Sequence, residues 1–103
     1  MHELGDHLKP AARALARKIM AGSAGNVPAW GYKLLARFPE ETVPVLSAGL
    51  GDKDRVQRER AAVALGYMGR AAAAANPQVA RALSAAQDER EQRLLKWCLR
   101  ETE

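Results

Sequence analysis

Between Leu50 and Gly69 the chain sets Asp52 and Asp54 ahead of Arg58, then Ala61, Ala62, Ala64, Leu65, Gly66 and Gly69, the spacing of a junction between α-helical repeats. Gly49, Gly51 and Asp52 break one helix, and Asp54 offers an N-cap oxygen to the amides that open the next. The helix predicted through about Met68 carries an apolar face of Ala61, Ala64, Leu65 and Met68, with Val56 and Val63 on its flanks. Gly66 inside that face costs about 1 kcal/mol relative to alanine, which implies close approach by a neighbouring helix. A repeat predicts both an architecture and a manner of working, the presentation of a surface.

A chain of 103 residues predicts one domain, 1–103, with a modest core. Alanine supplies about a fifth of it and β-branched residues are thinly scattered, so the expectation is all-α. The formal charge of +4 suits an acidic partner, but acids are interspersed along most of the chain, a weaker bias than nucleic-acid binders usually carry. Cys98 is the only cysteine, which excludes an internal disulfide and a cysteine-based zinc site within one chain and fits a reducing, cytoplasmic setting. Glu3 and Asp6 interrupt the first ten residues, and no window approaches the roughly 20 apolar residues of a membrane span, so the expectation is a soluble, unexported protein with no membrane partner.

The remaining helices follow from period and punctuation. Leu8, Ala11, Ala12, Leu15 and Ile19 predict a first helix over about 8–20 with Pro10 in its first turn, and residues 1–25 form an N-terminal helix and connector. Asn26 as N-cap and Pro28 open a second helix to Phe38, with Val27, Trp30, Leu34, Leu35 and Phe38 on one face. Pro39 stops it. Glu40 and Glu41 begin a third helix to about Leu50, or regular structure starts only near Thr42 because of Pro44. Asn76 as cap and Pro77 start a fifth helix with Val79, Ala82, Leu83 and Ala86 inward, and Asp88 and Glu89 open a sixth with Leu94, Leu95, Trp97, Cys98 and Leu99. The run Ala71–Ala75 reads as an extra helical turn or as a compact connection.

Leu35, Ala36, Phe38 and Pro39 reappear thirty residues on as Leu65, Gly66, Met68 and Gly69, while Asp52 to Asp88 spans 36, so the units drift in length. Hairpins of this size match solenoid arithmetic, in which one hairpin cannot bury its apolar face without a neighbour. The junction from Leu50 to Gly69 resembles the HEAT-like repeat, particularly the short bacterial type also seen in phycobilin lyases. The resemblance covers roughly residues 27–100 and departs from the pattern at Gln57, where valine is usual, and at Lys96 and Trp97, where small alanines are expected. It implies a short right-handed α-solenoid of about six helices, two to three hairpins within residues 26–103. It also implies that Asp52, Asp54 and Arg58 join successive repeats by hydrogen bonds, and that the protein is a non-enzymatic scaffold for protein–protein interaction. Lyase or DNA glycosylase activity is the least expected outcome.

No catalytic constellation emerges. His2, Glu3 and His7 have i, i+5 spacing, about 140° apart on a helix rather than on one face, so no metal site is expected and no cofactor is implied. Two candidate surfaces remain. Lys9, Arg13 and Arg17 form a basic stripe that suits an acidic protein or nucleic acid, with Lys33 and Arg37 repeating the i, i+4 pairing on the second helix; a solvated face explains the stripe equally well. Trp97 and Leu99 widen the apolar arc of the last helix and suggest an exposed edge for a partner or a homodimer, against the alternative of a helix tucked over the core. Trp30 reads as core.

Overall fold

The computed structural model describes residues 2–22 and 27–103, with side chains from residue 8 onward. It is all-helical, with no strand among the described residues: α1 (His2–Ala21), α2 (Ala29–Arg37), α3 (Pro39–Gly49), α4 (Arg55–Met68), a 3₁₀ segment (Gly69–Ala75), α5 (Asn76–Ala85) and α6 (Glu89–Thr102). No helix of the described residues is long and apolar enough to cross a membrane. Helix α4 packs against α3 on one side and α6 on another, α1 lies along α3, and α5 rests on α6. The core between them is made of Ala16, Ile19, Leu35, Leu46, Leu50, Ala61, Leu65, Val79, Leu95 and Cys98.

Several boundaries differ from the sequence expectation, each for a local reason. Helix α1 runs from His2, so Pro10 lies inside it; Pro10 is exposed, and the missing hydrogen bond faces solvent. The expected Asn26 cap, and the side chains of His2, Glu3 and His7, lie outside the described residues. Helix α2 buries Gly31 and Leu35 rather than Trp30, which is 66% exposed. The inward register of α2 is Gly31 and Leu35, i and i+4, which turns Trp30 about 100° off that line. Pro39 occupies the first turn of α3, and buried Thr42 donates its hydroxyl to the carbonyls of Leu35 (2.9 Å) and Phe38 (3.1 Å), closing the end of α2. Pro44 sits exposed within α3, which therefore begins ahead of Thr42.

The alanine run lies in a 3₁₀ segment kinked at Ala72 (φ −97°, ψ 16°), and Ala72 and Ala75 are buried. Asn76 lies within α5 and does not cap it. Its side chain instead pairs with Thr102, accepting from the hydroxyl and donating to the carbonyl, which fastens α5 to the end of α6. On α6 the inward register is Glu91, Leu95, Cys98 and Thr102.

Cys98 is fully buried, and burial pushes its thiol from the ordinary 9.0 up to about 11. A folded-state value above the unfolded one favours the fold below the ordinary thiol range and loses that contribution as pH rises through about 11. Cys98 is therefore expected to resist thiol reagents until urea unfolds the chain. Stability should fall as pH rises from 9.0 toward 11, less steeply in Cys98→Ala; urea titrations across that range check it.

Candidate interaction surface

The turn into α4 carries the densest polar network among the described residues. Asp52 accepts from the Asp54 amide (2.8 Å), and Asp54 caps α4 by accepting from Val56 N (3.0 Å). Arg58 reaches back with Nη1 to the carbonyls of Asp52 and Lys53, both at 2.9 Å. Its other edge, Nε and Nη2, forms a bidentate pair with Glu91 of α6 at 2.7 and 3.1 Å. The Glu91 carboxylate holds the Arg58 guanidinium above its ordinary value, against desolvation. Arg55 adds an ion pair to Asp88 (3.0 Å). The start of α6 reproduces this geometry: Asp88 accepts from Arg90 N, and Gln92 donates to the Ala86 carbonyl (2.8 Å) six residues back, as Arg58 does to Asp52. The two turns stand 34 residues apart, Asp54 to Asp88 and Arg58 to Gln92. An open groove of about 420 Å³ beside this junction is lined by Leu50, Ala82, Arg55, Arg58, Asp88 and Glu91, whose charges are paired with one another.

The basic stripe of α1 is divided. Arg13 is bonded to Glu41 of α3 (2.8 Å), while Lys9 and Arg17 are exposed. Lys33 and Arg37 lie exposed on α2, with the Arg37 guanidinium 5.9 Å from the Phe38 ring centroid. Trp97 and Leu99 are each partly buried against the core and partly exposed. The Trp97 ring lies on Gly66, where a Cβ would stand 2.9 Å from Cε3 and closer still to two other ring carbons. That approach is the reason for glycine inside α4.

Sequence reasoning missed what this packing assembles. Tyr32 of α2, Tyr67 of α4 and Trp97 of α6 form a continuous aromatic ridge, with ring centroids 4.7 Å apart for the tyrosines and 5.3 Å apart, edge to face, for Tyr67 and Trp97. Burial, and secondarily Tyr67, raise the Tyr32 phenol above its ordinary value. Beside the ridge, Val56, Arg60, Val63 and Tyr67 follow one another at i, i+4, i+7 and i+11 on the outward side of α4, with Val56 46% and Tyr67 61% exposed. Val56, Val63 and Tyr32, with Ile19 and Val27, also line an open depression of about 410 Å³. The signal was available in the period of 56, 60, 63 and 67, but it competes with the stronger apolar face on the opposite side of the same helix.

Among the described residues no cluster of His, Cys, Asp and Glu is arranged to hold a metal ion, and the Cys98 thiol is buried. Comparison with family models, with curated proteins and with solved structures finds no match.

The ridge makes a quantitative prediction. Gly66→Ala gains about 1 kcal/mol in helix propensity but overpacks Trp97, which costs about 1–3 kcal/mol, so a net loss of up to about 2 kcal/mol is expected. In a Trp97→Ala background the same change should stabilise by about 0.5–1 kcal/mol. Urea unfolding of the four proteins measures both signs.

Proposed function

We propose that this chain is a non-enzymatic protein–protein interaction module, a short right-handed α-solenoid of HEAT-like hairpins. The observation that carries the reading is the junction geometry repeated at 34 residues, an aspartate cap followed by a side chain that reaches six residues back to a carbonyl. The packing of α2 on α4 and α4 on α6, and of α1 on α3 and α3 on the 3₁₀ segment, supports two rows of helices in a stack of about six. On this reading Asp52, Asp54 and Arg58 are structural, and the outward side chains meet the partner.

The alternative is a nucleic-acid-binding helical repeat, favoured by exposed cations such as Lys9, Arg17, Lys33 and Arg37. The two readings separate experimentally. With the full chain as bait, a partner protein should be recovered and should rebind as a purified component at fixed stoichiometry. Retention of nucleic acid alone, with affinity falling steeply as salt rises, would replace the first reading by the second.

A further inference from the structure

The α2/α4/α6 face holds the largest reserve of unsatisfied chemistry. Its centre is the α4 stripe of Val56, Val63 and Tyr67, about 16 Å long at 1.5 Å per residue. On α6, Arg90, Arg93, Trp97 and Arg100 fall at i, i+3, i+7 and i+10, so three exposed arginines border the ridge. None of these three guanidinium groups, nor that of Arg60, has a hydrogen bond or ion pair among the described residues. Of the acids of α4 and α6, Glu59 is paired with Arg55 and Glu91 with Arg58, while Glu89 and Glu101 are exposed. The face thus sets Val56, Val63 and Tyr67 around Arg60 and carries an excess of arginine on its α6 flank, where Glu101 lies four residues after Trp97.

We propose that this face docks an amphipathic helix of another protein, with apolar anchors at i, i+3/i+4 and i+7 along its contact stripe and carboxylates beside them. The inference deepens the interaction reading above and rests on it. A helix fits because the stripe spans three turns of α4 and adjoins the depression walled by Tyr32, Val56 and Val63, with Glu59 and Arg60 at its side, which would accept one anchor. Acidic flanks fit because the bordering Arg90, Arg93 and Arg100 make no ion pair among the described residues and outnumber the acid beside them, Glu101. Nucleic acid fits less well: the rings are already packed on one another and on Gly66, which restricts stacking with bases, and Val56 and Val63 offer nothing to a phosphate. A second copy of the same face would oppose arginine to arginine.

The test is selection from a display library of helical peptides with randomised surface positions, using the full chain as target. Selected peptides should be enriched in Asp and Glu around an apolar stripe, and NMR shift changes should centre on Val56, Val63, Tyr67 and Trp97. Tyr67→Ala and Arg90→Glu/Arg93→Glu should each weaken binding at least about tenfold while circular dichroism and melting show an intact fold. Enrichment of neutral or basic peptides, shifts confined to α1 and α3, or unchanged affinity in both variants would overturn the docking site and leave the interaction reading standing. Failure to enrich any peptide, with binding of a single-stranded oligonucleotide instead, would overturn both.

Discussion

One planar cation ties the second half of this molecule to the first. Arg58 uses one edge of its guanidinium to close the turn over the carbonyls of Asp52 and Lys53, and the other to take both oxygens of Glu91. The Glu91 side chain is 5% exposed, so its charge is tolerable only because this partner meets it in bidentate geometry. Lysine, with a point charge in place of a fork, would not satisfy carboxylate and turn together. Arg58 thereby sets where α6 lies along α4.

The surface follows from that alignment. With α6 held against α4, Trp97 falls on Gly66 and meets Tyr67, and Tyr67 meets Tyr32 of α2. Three helices thus share one ridge. The alanines at Ala61, Ala62 and Ala64 are fully or almost fully buried, so the helices come close enough for outward rings to touch. Fold and surface are two consequences of the same short interhelical distance.

Local chemistry was the legible part of the sequence. The caps at Asp54 and Asp88 depend on side chains bonding amides two residues ahead, and Gly66 declared a close contact before its partner was known. Tertiary competition was not legible. Asn76 has the chemistry of a cap but is drawn to Thr102, 26 residues away. Trp30 has the hydropathy of a core residue, but the register of α2 faces Gly31 and Leu35 inward and leaves it exposed. Glu91 carries no sign of burial in the sequence; it lies in the first turn of α6 and is buried where Arg58 meets it. Asp52 and Asp88 look alike in the sequence but do different jobs, Asp52 accepting from the Asp54 amide in the turn and Asp88 capping α6.

The most direct measurement is native-state hydrogen exchange on Arg58→Ala, which leaves the Glu91 carboxylate buried without its cation. If Arg58 is the tie between the halves, amides of α5 and α6 should lose protection together while those of α1 and α3 keep theirs. Uniform loss across all helices, or unchanged protection in α6, would contradict the account.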